Sequence, residues 1–350
     1  MSDVVADAVA EAPVPGRTAT ALERLRAAHP DLPDRLADPG FAAALVAVTS
    51  ASRSLARVLD ADPEALDVLA DLDRRRPEAS ADGGELVAWK RRELLRVAAR
   101  DLTGQDPVDV TAAALADLGA DVLRAAVRLA EADDLVVVGM GKLGGSELNY
   151  ASDVDVLFVG EGDPDALARR ARAVLDLARP CFRVDADLRP EGRDGPLVRS
   201  VASYQAHWER WAQPWERQAL LKARAVAGPG TLADAWAEAA HHAVWDRAVD
   251  AEDIRAIREM KRRAEADVAR RGLSDHEVKR GPGGIRDIEF SLQLLQLVHG
   301  RLDPALRTPN TLQALHELRE GGELDPDDAD RLDAAYRFLR RVEHGLQLED

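Results

Sequence analysis

The sequence predicts an α+β protein with a small mixed sheet in the middle of the chain and helical regions on either side. Apolar residues recur at three- and four-residue spacing over 19–131 and again beyond Ser203, the signature of helices with one buried face. Between these stretches lie two β-branched runs, LVVVGM (135–140) and VDVLFV (154–159), interrupted by Gly139 and followed by Gly160. The segment PDALARRARAVLDLA (164–178) returns to helical spacing before a third strand-like stretch, CFRVDADL (181–188), and the turn-rich RPEGRDGP.

Taken in order, residues 1–18 mix Ala, Asp, Glu and Pro without periodicity and read as a disordered lead-in. Residues 19–131 form a helical N-terminal region, exemplified by FAAALVAVTSASRSLARVL and ELVAWKRRELLRVAARDL. Residues 132–245 hold the strands, and from Ser203 onward the pattern SYQAHWERWAQPWERQALLKARAVAG is helical throughout. Trp208, Trp211 and Trp215 form one helical stripe suited to core packing. Residues 246–350 form a helical C-terminal region, broken by the glycine-rich KRGPGG (279–284). The pattern is still helical at Asp350, which reads as a domain cut short.

The chain of 350 residues carries 47 Lys and Arg against 63 Asp and Glu, a net charge of −16. Such a surface repels nucleic acid, so any bound phosphate must be held locally by cations or backbone N–H groups. With Cys181 alone there is no intrachain disulfide and no CxxC metal site, which fits a reducing cytoplasm. No basic, apolar leader and no run of 18 apolar residues is present, which argues against secretion and membrane spanning. His241, His242, His299 and His344 lack the spacing of zinc ligands.

Chemistry concentrates in GMGKLGGSELNYASDVDVLFV (139–159). Gly144 and Gly145 fall in the turn after the first strand, where the absence of a Cβ lets backbone N–H groups approach a phosphate. Asp153 and Asp155 alternate along the next strand and so share a side. Two carboxylates at a strand end need a compensating cation, and Mg²⁺ prefers such hard oxygen ligands. Asp185 adds a third carboxylate if its strand pairs beside the second, allowing two ions roughly 3.5–4 Å apart. Asp187 lies on the same face, and either can serve. Lys222 and Arg224, on a presumed helix, are candidates for a nucleotide phosphate, as is the Lys279–Arg280 pair ahead of GPGG.

Four segments in order, GMGKLGGSELNYASDVDVLFV, VDADLRPEGRDGPLV, WERQALLKARAVAG and KRGPGGIRDIEF, resemble the glutamine synthetase adenylyltransferase/adenylyl-removing enzyme family, with matches from about Trp89 to about Leu348. The resemblance implies a nucleotidyltransferase fold of the polymerase-beta-like kind over 132–245. It assigns Asp153, Asp155 and Asp185 as catalytic metal ligands for Mg²⁺ or Mn²⁺. Gly144, Gly145, Ser152, Lys222 and Arg224 fall on the nucleotide side. Asn149 and Arg286 resemble the N-terminal, AMP-removing half, which implies phosphorolysis of adenylylated glutamine synthetase by inorganic phosphate to give ADP, with a PII signalling protein as a further partner. The alternatives are adenylyl transfer from ATP and a docking or regulatory module without catalysis. Asp187 departs from the family, which usually carries Arg, Asn or Ala there.

Overall fold

The computed structural model describes residues 9–272 and 276–349. At its centre is a five-stranded mixed sheet: β1 (Leu135–Gly139), β2 (Val154–Gly160), β3 (Val184–Asp185), β4 (Val198–Arg199) and β5 (Arg224–Ala227), in the order β3-β2-β1-β5. β1 pairs antiparallel with β2 and with β5, while β3 and β4 run parallel to β2 at successive places along its outer edge. Side-chain alternation explains why the strands are apolar almost throughout. Val137, Val156 and Phe158 face helices Val108–Leu129 and Pro164–Ala178; Val136, Val138, Leu157 and Val159 face Tyr204 and Trp236 on the opposite side.

Several expectations need correcting. The lead-in is ordered at least from Val9: helix Pro15–Ala28 begins inside it, Val9 and Ala12 are buried in the N-terminal core, and the Val14 N–H donates to Ser50 Oγ at 3.1 Å. Residues 1–8 lie outside the described residues. RAVA (224–227), read as helix, is the edge strand β5; a four-residue run carries too little periodicity to separate the two. The tryptophan stripe is split by Pro214 between helices Val201–Arg210 and Pro214–Leu220. Trp208 packs on Tyr204 and Trp236, whereas Trp211 is 70% exposed.

The C-terminal helices Ala251–Arg270, Ile285–His299, Thr311–Glu320 and Pro326–Leu348 do not stand apart from the sheet. The last of them packs back on Val108–Leu129, and Leu348 joins the N-terminal core. A buried ionic network fixes this arrangement. Lys142 Nζ donates to both Glu343 oxygens at 2.9 and 3.1 Å, and Lys222 pairs with Glu147 and donates to Thr311 Oγ1 at 2.8 Å. Tyr336 Oη donates to Glu147 Oε2 at 3.0 Å, and Arg340 donates to the Glu147 and Leu148 carbonyls. Buried charges offset their desolvation only when every partner is present, so the network acts as a unit.

Gly144 sits at the meeting point of these parts: a Cβ there would overlap the Lys222 carbonyl oxygen, a backbone atom that cannot yield cheaply. Gly144→Ala is therefore expected to destabilise by about 2 kcal/mol or more, read by chemical denaturation. Gly16→Ala, in a helix with open space around it, should be neutral or stabilise by roughly 0.5 kcal/mol.

Candidate active site

β2 and β3 pair with Val154 beside Val184, and this register sets Asp155 beside Asp185. Neighbouring parallel strands lie about 4.8 Å apart, so the two carboxylates stand shoulder to shoulder on the Tyr204 side of the sheet. Asp155 is half-buried, and burial, with the charges of Asp185 and Asp153 added, pushes its pKa up to about 6; Lys279 and Lys142 pull the other way without cancelling. Gly141 keeps the approach clear: it adopts φ +53°, and a Cβ would meet Asp155 Oδ2 at 3.3 Å. Asp185 Oδ1 accepts the Asp187 N–H at 2.7 Å.

Asp153 precedes β2 by one residue and forms a solvent-exposed ion pair with Arg183. Register separates Asp185 from Asp187: Asp185 is the residue paired with Asp155 across the two strands. Asp187 lies past β3 and is held by Arg193 at 2.5 Å and Arg189 at 3.4 Å, and its hydrogen bond from Arg193 lowers its pKa.

The acids stand on a divide between two clefts. Asp155 opens onto one of about 290 Å³, shared with Lys142, Trp215, Lys279, Arg286 and Phe290. Asp153 and Asp185 line a larger trough of about 1060 Å³, bordered by Arg172, Arg183 and Arg193.

The nucleotide-side residues are arranged otherwise than the sequence suggested. The Gly144 and Gly145 N–H groups donate to the Met140 and Gly141 carbonyls within a short helix, Gly141–Gly144, so both glycines serve close packing and neither presents its amide to an anion. Lys222 is in a turn, not a helix, and its ammonium is buried between Glu147, Glu289 and Thr311. Arg224, on β5, donates to the Gly144 carbonyl at 3.2 Å and Ser146 Oγ at 3.1 Å. Ser152 is half-buried beside Asp153, its N–H donating to the Asn149 carbonyl at 3.4 Å. Sequence reasoning passed over Lys142, whose only signal was its place in GMGK, and gave Arg286 no role in the site.

Among the described residues no three His, Cys, Asp or Glu side chains converge closely enough, as they stand, to enclose an ion. Asp153 is engaged by Arg183, and an exposed pair of that kind is worth under about 1 kcal/mol and exchanges readily. The donor set itself, three carboxylates on one face with Asp155 resisting ionisation, fits a hard divalent cation.

The family described as glutamate-ammonia ligase adenylyltransferase matches residues 77–239, and that described as GlnD PII-uridylyltransferase matches 255–350. Relatives include the bifunctional glutamine synthetase adenylyltransferase/adenylyl-removing enzyme of Streptomyces coelicolor, 48% identical over 74% of this chain and 28% of the relative. The enzymes of the same name from Mycobacterium avium and Mycobacterium tuberculosis are 45% and 46% identical over 78% and 73% of the chain, and 29% and 27% of the relatives. The matched segment thus spans less than a third of the length of these relatives. On these matches and the motifs at its strand ends, the chain belongs to the glutamine synthetase adenylyltransferase/adenylyl-removing enzyme family.

Proposed function

We propose that this chain catalyses metal-dependent nucleotidyl transfer on glutamine synthetase, in the direction that removes AMP from an adenylylated tyrosine by phosphorolysis and yields ADP. The observation that carries the reading is the in-register pairing of Asp155 with Asp185, with Asp153 at the mouth of the same strand. The names of the relatives support the protein substrate. Adenylyl transfer from ATP is the reverse chemistry at the same acids, and it predicts AMP attachment to unmodified glutamine synthetase instead. No described helix is long and apolar enough to cross a membrane, and we place the activity in the cytoplasm, where glutamine synthetase and phosphate meet.

Asp153, Asp155 and Asp185 would hold Mg²⁺ or Mn²⁺, which supplies charge neutralisation to phosphoryl transfer. The chain's own residues do the positioning. Gly141 leaves Asp155 accessible, Lys142 is fixed beside it by Glu343, and the small cleft offers Trp215 and Phe290 as apolar surface against which a nucleotide can lie. Tyrosine, with an ordinary pKa of about 10, leaves without a dedicated general acid. A PII protein belongs to the proposal as an effector rather than a substrate.

Adenylylated glutamine synthetase, incubated with the protein, Mg²⁺ and phosphate, should release ADP. Asp155→Asn and Asp185→Asn should each lower the rate by about a hundredfold or more. Folded wild-type protein that releases no ADP would overturn the reading.

A stability measurement gives an independent check. The folded state favours protonated Asp155, so this group's stabilising contribution is complete below about pH 4 and is lost as pH rises through about 6. In metal-free buffer at pH 7.5, Asp155→Asn should therefore be more stable than wild type, on the order of 2 kcal/mol. Mg²⁺ or Mn²⁺ should raise the Tm of wild type and leave the variant's unmoved.

A further inference from the structure

The cleft beside Asp155 is bordered by four cations, Lys142, Lys222, Lys279 and Arg286, and they divide into two kinds. Lys142 is bound to Glu343, and Lys222 to Glu147 and Glu289, so their charges are already neutralised. Among the described residues neither the Lys279 ammonium nor the Arg286 guanidinium has a carboxylate within salt-bridge distance or any hydrogen-bond acceptor. The neighbouring Arg280 has one, Glu277 at 3.1 Å. Both unpaired cations are half-buried, Arg286 with its guanidinium 5.7 Å from the centre of the Phe290 ring, and burial holds its pKa below the usual arginine value. A partly desolvated cation with no partner is costly, and an anion in the cleft removes the cost.

The backbone is built to bring these two together. The chain folds back through the glycine-rich turn so that the Ile285 N–H donates to the Val278 carbonyl and the Arg286 N–H to the Lys279 carbonyl, both at 2.9 Å. Gly283 takes φ +74°, and a Cβ on Gly284 would meet the Val278 carbonyl oxygen at 2.7 Å. The turn therefore requires glycine at both places, and it sets residue 279 next to residue 286 at the start of helix Ile285–His299.

We propose that Lys279 and Arg286 form the seat of the attacking phosphate, the same seat that the β-phosphate of ADP fills after reaction. This deepens the phosphorolytic reading and rests on it. An oxygen of HPO₄²⁻ attacks the α-phosphorus, the bond from phosphorus to the tyrosine oxygen breaks, and its electron pair leaves on that oxygen. The proton carried by HPO₄²⁻ balances the tyrosine hydroxyl. The seat opens on the Asp155 side of the divide, while the arginine-bordered trough, with room for a protein segment carrying the modified tyrosine, opens on the Asp153 and Asp185 side. Nucleophile and leaving group thus have separate access to the acids.

The seat makes a prediction about ligands that differ by one phosphate. Inorganic phosphate and ADP occupy it; AMP does not. Binding of each to the full chain, measured by calorimetry without metal, should be compared for wild type, Lys279→Gln and Arg286→Gln, with circular dichroism as the check on folding. We expect each substitution to weaken phosphate and ADP by about tenfold or more and AMP by less than about twofold, with partial recovery in Arg286→Lys. Unchanged phosphate binding in both variants, or no phosphate binding by wild type, overturns the proposal. Loss of AMP binding in proportion to phosphate also overturns it, since the pair would then hold the α-phosphate. Phosphate binding as expected, without ADP release from adenylylated glutamine synthetase, would leave the seat standing and remove the phosphorolytic reading.

Discussion

Pairing β3 against β2 places two carboxylates at strand spacing, and at that distance like charges repel strongly unless something intervenes. Everything around the site answers to this repulsion. Asp155 resists ionisation, Asp185 takes a backbone N–H from Asp187, and Asp153 pairs with Arg183. Lys142 and Lys279 lean toward Asp155 from the cleft without contacting it. A multivalent cation would neutralise all three acids from one point, so the pairing that raises the Asp155 pKa is also the feature on which the proposed function rests.

Holding such a sheet edge in place needs rigid support, and the support comes from far along the chain. The short helix Gly141–Gly144 and the loop after it are gripped through Lys142 and Glu147 by residues of the last two helices, Thr311, Tyr336, Arg340 and Glu343. These contacts explain why GMGKLGGSE is rich in glycine and carries Lys142 and Glu147 where it does. The glycines admit the Lys222 backbone and the Glu147 side chain, and the charged residues meet partners in the C-terminal helices.

Much of this was legible in the sequence. The period change at 135–140 and 154–159 marks the central strands, and the strand–helix–strand order brings Asp185 to Asp155 on the condition that the third strand pairs with the second, which it does. What remained hidden was long-range. Gly144 and Gly145 resemble a phosphate cradle because a glycine gives no sign of what approaches it, and here the Lys222 carbonyl approaches Gly144 while the Glu147 side chain and the Pro309 carbonyl approach Gly145. Lys222 resembled a phosphate-binding lysine for the same reason: its partner Glu147 is 75 residues away. β5 was lost because RAVA is too short to declare a period, and β1 alone makes it a strand.

The pairing of Lys142 with Glu343 spans 201 residues. A polypeptide made from its N-terminus forms the sheet long before that partner exists. Until helix Pro326–Leu348 docks, Lys142 and Glu147 hold only part of their network, and a partly satisfied buried charge is worse than none. Closing so distant a contact is an entropically slow step. A chain whose sheet is already hydrogen-bonded but whose helix Pro326–Leu348 has not docked leaves the turn after β1 unsecured, so that turn and that helix become firm together.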